Sequence, residues 1–242
     1  MTVAEILKIT LPSGIEAEIK EIDGAAEKAL TNQRLLKSGK AMNVLMQKAI
    51  VSLNGKPLPQ NAGEANALLL DLKTGDRNYL LLRIRMQSYG DELIFNSECP
   101  HCHKTSGYKI NLQEMLDNGE LKVYPYQDNT PIIVETSAGP AEVDYMTGRT
   151  EQWLAGQREI DSVIMALAAC KSFNGHTPTY KEFENMLVKD LNKIRLAYLD
   201  LKGGLDPKID LECLDCNNTY STTLYQIPDF FIPQTTMATI GQ

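Results

Sequence analysis

Apolar and polar residues alternate in short bursts along this chain, give way to helical spacing, and then repeat the sequence of patterns. From Ser13, SGIEAEIKEIDGAAEKAL opens with alternation and becomes helix-like after Gly24. From Ser137, SAGPAEVDYMTGRTEQWL does the same, so that Gly24 meets Gly148 and Leu30 meets Leu154. Period two followed by period 3.6 predicts a short strand and then a helix in each. Next, MNVLMQKAIVSLNG ends at Gly55 and SVIMALAACKSFNG ends at Gly175. Both are apolar amphipathic stretches closed by Asn-Gly, which reads as a helix followed by a helix stop.

A third match pairs DRNYLLLRIRMQSYG, Asp76 to Gly90, with LNKIRLAYLDLKGG, Leu191 to Gly204. Apolar residues recur at helical spacing; Asp76 is expected to cap the first helix, and Gly90 and Gly203–Gly204 to end the two helices. The fourth pairs DELIFNSECPHCHKTSGYKINL with DPKIDLECLDCNNTYSTTLYQI, each a strand, a C-x-x-C turn and a second strand. Four matches in one order across residues 13–112 and 137–227 predict an internal duplication. The expected fold is α+β: two pseudo-symmetric repeats, each a short strand, about three helices and a β-ribbon with a C-x-x-C knuckle. The boundaries are 1–120 and 121–233, followed by a polar tail at 234–242. Two copies suggest a pair about an approximate two-fold axis rather than a repeat array.

The cysteine spacing adds chemistry. Each repeat contributes two thiols, too few to close a tetrahedral metal shell alone. If the ribbons pack about the axis, Cys99, Cys102, Cys213 and Cys216 converge on one structural zinc that clamps the repeats together. A redox C-x-x-C normally opens a helix, whereas both pairs lie in ribbons. A catalytic zinc needs an open position, which four thiolates deny it, although His101 and His103 could in principle supply a ligand or base. Metal-free thiols in a decayed site are the bland alternative. His101 and His103 read most simply as polar knuckle residues, and Pro100 fixes φ in the first turn. Cys170 reads as a small hydrophobe buried on an apolar helix face, and His176 as a loop residue. Arg83 and Arg85 read as a solvated face or, alternatively, a partner contact.

Composition narrows the function classes. With 242 residues, 43% hydrophobic and 23% charged, the chain can bury one large core or two modest ones. Apolar runs such as Ala67–Leu70 and Tyr79–Leu82 stop after four residues, far short of the roughly 20 a membrane span needs. The segment around Glu5 lacks a basic region followed by an apolar core, so no secretory signal is expected and a reducing cytoplasm is the default. In that compartment paired C-x-x-C motifs favour metal over disulfides. A net charge of -7 argues against nucleic acid. Near the knuckles the basic residues are Lys104, Lys109 and Lys208. No P-loop, G-x-G-x-x-G, G-x-S-x-G or H-E-x-x-H occurs.

The order of LPSG at Leu11–Gly14, a Glu-rich helix start, GDRNYLLLRIRMQSYG, CPHC with a strand ending INL, and IPDFFIP at Ile227–Pro233 resembles the baseplate hub protein family of contractile-tailed, T-even type bacteriophages. The resemblance covers most of the chain, including the second C-x-x-C. It implies a non-enzymatic role in the virion's tail baseplate, with host cytoplasm as the place of assembly. Other baseplate proteins would be the partners, with no small-molecule substrate and no catalytic residues to carry over. A tail assembly chaperone absent from the mature virion, and a zinc-ribbon nucleic-acid-binding regulator, are the alternatives. In IPDFFIP, Pro228 and Pro233 preclude a continuing helix or central strand around Phe230, Phe231 and Ile232. The aromatic pair is expected either to close the core or to anchor a neighbouring subunit.

Overall fold

The computed structural model describes residues 5–32, 34, 35, 38, 40–227, 230 and 231. Pro228, Ile232, Pro233 and the tail at 234–242 lie outside the described residues. Of the described residues 39% are helical and 28% strand, the mixed α+β composition expected. Strands β1 (Ile6–Thr10) and β2 (Glu16–Lys20) form an antiparallel hairpin and lead into helix α1 (Gly24–Leu30). Asp23 caps α1 by accepting from the Ala26 N–H at 2.8 Å. Helix α2 (Ala41–Ala49) runs directly into β3 (Ile50–Leu53), which pairs with β2 and with β4 (Lys56–Pro57). Helices α3 (Ala62–Leu70) and α4 (Thr74–Tyr89) follow, then the ribbon β5–β6 (Glu92–Glu98, Thr105–Asn111), helix α5 (Leu112–Asp117) and β7 (Val123–Tyr124).

The remaining chain runs through the hairpin β8–β9 (Ile132–Thr136, Gly139–Val143), helices α6 (Gly148–Ala155) and α7 (Ser162–Ala169), and β10 (Cys170–Phe173) on β9. Helices α8 (Tyr180–Glu184) and α9 (Val188–Asp200) lead to β11 (Gly204–Leu205), the ribbon β12–β13 (Lys208–Glu212, Thr219–Thr223) and a 3-10 turn at Leu224–Gln226. Strand β11 pairs with β7.

Asn-Gly does not stop a helix in either place. Asn54 and Asn174 have φ of 48 and 50, and Gly55 and Gly175 have φ of 71 and 79. Two consecutive left-handed residues make the tight hairpin turn for which Asn-Gly is suited. The helices end earlier, at Ala49 and Ala169, because each apolar run continues as a buried strand. The turns also tie to the preceding hairpins: the Asn54 N–H donates to the Glu16 carbonyl at 2.7 Å, and the Asn174 N–H to the Pro140 carbonyl at 3.0 Å. Cys170 is consequently not on a helix face. It opens β10, buried, and its Sγ donates to the Ser172 carbonyl at 3.0 Å. Burial pushes this thiol up to about 12.

Three further expectations change. Asp76 does not cap α4, since Lys73 occupies that position. Asp76 lies in the first turn, buried, and accepts the Ser13 N–H at 3.1 Å. Asp190, in the first turn of the helix Val188–Asp200, is also buried and accepts from the N–H of Ser137 at 3.1 Å and from its hydroxyl. Gly203–Gly204 lie beyond the end of α9 at Asp200, in and beside β11, where Gly75 of α4 approaches so closely that a Cβ there would fall 2.4 Å from the Gly203 carbonyl oxygen. Arg85 is not solvated: its guanidinium is buried and donates to the carbonyls of Gly90, Glu92 and Phe230, so it pins the C-terminal segment to α4. Burial holds its pKa below the usual arginine value.

Buried apolar side chains fall into two clusters. One gathers residues from Ile9 to Leu121 together with Leu205 to Phe231; the other gathers Ala141 to Leu201. The second ribbon therefore packs with the first cluster. Phe230 and Phe231 are 1% and 6% exposed and form an edge-to-face group with Tyr225, so the aromatic pair closes the core. Arg77 joins the two clusters, being buried and donating to Glu151 Oε2 at 2.7 Å, the Leu69 carbonyl at 2.8 Å and Asn43 Oδ1 at 2.7 Å.

Candidate metal centre

Two hairpin tips carry the cysteines. Ribbon β5–β6 closes beyond the Glu98–Thr105 pair through Cys99–Lys104, and ribbon β12–β13 beyond Glu212–Thr219 through Cys213–Asn218. In the first tip the Cys99 N–H donates to the Lys104 carbonyl at 2.9 Å, and in the second the Cys213 N–H donates to the Asn218 carbonyl at 3.0 Å. The N–H groups of His103 and Asn217 return to the carbonyls of Cys99 and Cys213, each at 2.9 Å, with left-handed φ of 58 and 57. His and Asn are among the residues that tolerate this conformation. His103 thus has a backbone role, its exposed ring pointing to Glu98 Oε1 at 3.3 Å. The side chain of His101 is exposed, and its N–H donates to Cys99 Sγ at 3.4 Å.

The tips face each other. Cys99 Sγ lies 3.8 Å from Cys216 Sγ, and Cys102 Sγ lies 3.6 Å from Cys213 Sγ, across 117 and 111 positions of sequence. All four sulfurs lie within 4.8 Å of one another. The thiols are free, and the separations far exceed the roughly 2.0 Å of a disulfide. A metal–sulfur bond of about 2.3 Å places tetrahedral sulfurs about 3.8 Å apart, so this cluster has the size and donor chemistry to hold a metal ion. Cys99 and Cys213 are buried, while Cys102 and Cys216 are half-buried at the rim. The donor set is all sulfur; neither histidine belongs to it.

Crowding makes the thiols compete. The Asn218 backbone N–H, with the Asn218 amide and neighbouring thiols, lowers the Cys216 thiol to about 6. At Cys102 the Lys104 N–H favours the thiolate, but desolvation and the other three thiols outweigh it and raise the group to about 12. Four sulfurs this close cannot all ionise without a cation among them.

Polar contacts brace the tips. Lys104 Nζ reaches Asp215 Oδ1 at 2.8 Å, and the Ser106 hydroxyl donates to Asp215 Oδ2 at 3.3 Å. The Tyr108 hydroxyl donates to the Glu212 carbonyl at 3.2 Å and accepts from the Tyr220 hydroxyl at 3.2 Å. Lys109 is paired with Glu92 at 2.7 Å, so Lys104 and Lys109 both face carboxylates. Asp215, Tyr108 and Tyr220 escaped sequence reasoning because nothing in a ribbon's own pattern says which second ribbon will face it. Among the described residues no helix is long and apolar enough to cross a membrane.

A four-sulfur cluster joining two ribbon tips marks a protein of mixed α+β fold. The chain belongs to the T4 bacteriophage base plate protein family, whose model matches residues 4–232. It is accordingly a structural component of a phage tail baseplate and works among other baseplate proteins. No curated protein and no solved structure matches the chain.

Proposed function

We propose that this chain serves at the baseplate hub or in its assembly as a two-repeat, non-enzymatic structural protein. In this reading Cys99, Cys102, Cys213 and Cys216 hold one zinc ion, which neutralises the thiolates and clamps the two ribbons. The observation that carries the metal is the convergence of four free sulfurs, at tetrahedral spacing, from tips more than a hundred positions apart. Closing so long a loop restricts the unfolded chain and so stabilises the fold.

The internal duplication belongs to the same reading, with repeats 1–120 and 121–233 and the second ribbon packed onto the first core. Several contacts support it. Ser13–Asp76 and Ser137–Asp190 place the same serine-to-aspartate hydrogen bond between hairpin and helix. Asn54–Glu16 and Asn174–Pro140 place the same turn against the same strand. Both ribbon tips share one backbone scheme.

Elemental analysis of the purified full chain and of Cys213→Ser tests the centre. One zinc per wild-type chain and a marked loss in the variant are expected. A zinc-free wild type, or a variant with unchanged zinc, refutes it. Quantifying the chain in mature tails separates a resident hub protein from an assembly factor.

A further inference from the structure

Helices α4 and α9 occupy corresponding places, fixed by Asp76 and Asp190 in their first turns. Their surroundings differ. Along one face of α4, the Asn78 carbonyl accepts from the Tyr225 hydroxyl, and Arg85 donates to the Phe230 carbonyl at 3.3 Å. That face is covered by the chain's own Tyr225 and Phe230. The corresponding face of α9 carries Asn192 and Leu199, and it is bare among the described residues. Val188, Leu196 and Leu199 are 70%, 61% and 69% exposed there. Ile160, 56% exposed, extends the stripe, and a groove of about 360 Å³ lies between Ile160, Met165, Tyr198 and Leu199, with Arg195, Asp161 and Ser162 also in its lining.

We propose that this face of α9 docks an extended segment of another baseplate protein that carries aromatic side chains and an acidic residue. The α4 face supplies the precedent for the aromatics: Tyr225 and Phe230 reach it by hydrogen bonds, and the Phe230 ring is buried. Charge supports the same occupant. Lys189 and Arg195 flank the apolar stripe; neither makes an ion pair among the described residues, and Arg195 donates to Asn192 Oδ1. Exposed Leu and Val beside unpaired cations suit an apolar, acidic partner, since aromatic anchors dominate such contacts and complementary charge orients them. Where α4 has Arg85, α9 has Leu199, so the α9 cover is held by apolar contact rather than by a guanidinium on its carbonyls. The inference rests on the duplication for the correspondence of the helices.

The test places a photo-crosslinking amino acid at position 196 of the full chain in infected cells, and the joined peptide is identified by mass spectrometry. Leu199→Glu and Arg195→Glu are compared for crosslinking, incorporation into tails and melting temperature. A joined segment of another baseplate chain with aromatic and acidic residues is expected. Leu199→Glu should lower its yield by about tenfold or more, since a carboxylate there removes the apolar contact, takes up Arg195 and repels the partner's acid, and leave the melting temperature unchanged. A crosslink to a second copy of this chain, to a basic or wholly polar segment, or to nothing overturns the proposal, as does a Leu199→Glu variant that crosslinks like wild type. If the segment is joined in cells while wild-type chain is absent from mature tails, the docking face stands and residence in the finished hub fails.

Discussion

Replacing Phe230 by Ala tests whether the aromatic C-terminal segment holds the fold together. The ring is 1% exposed, edge-on to Tyr225 at 5.2 Å and to Phe231 at 4.7 Å between centroids. Its own carbonyl is one of the three that Arg85 grips. Deleting a buried Phe side chain costs about 3–5 kcal/mol in transfer and cavity terms. The lost edge-to-face pairs place this site toward the upper end. For a chain of this size each kcal/mol lowers the melting temperature by about 2–4 °C, so a drop of about 10 °C or more is expected. Circular dichroism during heating reads the whole fold, and fluorescence of Trp153, the single tryptophan, reads α6, whose Leu154 packs on the second cluster. Coincident curves are expected if Arg77 and its partners couple the clusters. Phe230→Leu, which keeps most of the volume, should recover the greater part of the loss. A melting temperature within about 2 °C of wild type for Phe230→Ala, well below the shift expected of a buried Phe, would refute the core role. Lost tail incorporation in that case would make the segment an anchor for a neighbour.

Other outcomes follow from the same contacts. The Ser137 hydroxyl and N–H, with Lys193, hold Asp190 down to about 2; its stabilising contribution is present above the unfolded value near 3.8 and is lost as pH falls toward 2. Urea midpoints measured down that range should fall less steeply in Asp190→Asn than in wild type. Asp76 behaves oppositely, because burial raises its pKa. Its contribution is largest below the unfolded value and declines as pH rises through the folded one, so Asp76→Asn should gain on wild type between acidic and neutral pH in the same titration. Gly75→Ala places a Cβ 2.4 Å from a backbone oxygen and 2.6 Å from Gly204 Cα, and should destabilise by about 1–3 kcal/mol in urea unfolding. Chelator treatment should lower the melting temperature of wild type but not that of Cys213→Ser, as read by scanning calorimetry.

The parts legible in sequence were those set by local chemistry. Ribbon strands, C-x-x-C tips and the helices at Gly24 and Gly148 follow from periodicity and turn residues, and the pairing of the two tips follows from ligand arithmetic. Misreadings arose where a pattern was shared by two structures. IVSLNG and CKSFNG continue the apolar run of the preceding helix, so the switch to strand left no break in hydrophobicity; the β-branched Ile50 and Val51, and the suitability of Asn-Gly for a hairpin, were the available signals. Asp76 looked like a cap because its partner, Ser13, is 63 positions away. Arg85 looked solvated because a sequence does not show three carbonyls converging on one guanidinium. Asp190 lay one residue outside the repeat match at Leu191, yet its bond from Ser137 resembles the bond from Ser13 to Asp76.

The placement of the second ribbon also orders events in time. The first core is completed by Leu205–Phe231, which leaves the ribosome only after the whole second cluster has been made. Until then a nascent chain presents Cys99 and Cys102 as an open pair, and α4 lacks the cover that Tyr225 and Phe230 bring. A chain broken off between Cys102 and Cys213 therefore keeps an exposed apolar face and half a thiol cluster. Closure of the two tips marks a chain that has been made at least through Cys216, and only such a chain offers its neighbours in the baseplate a finished surface.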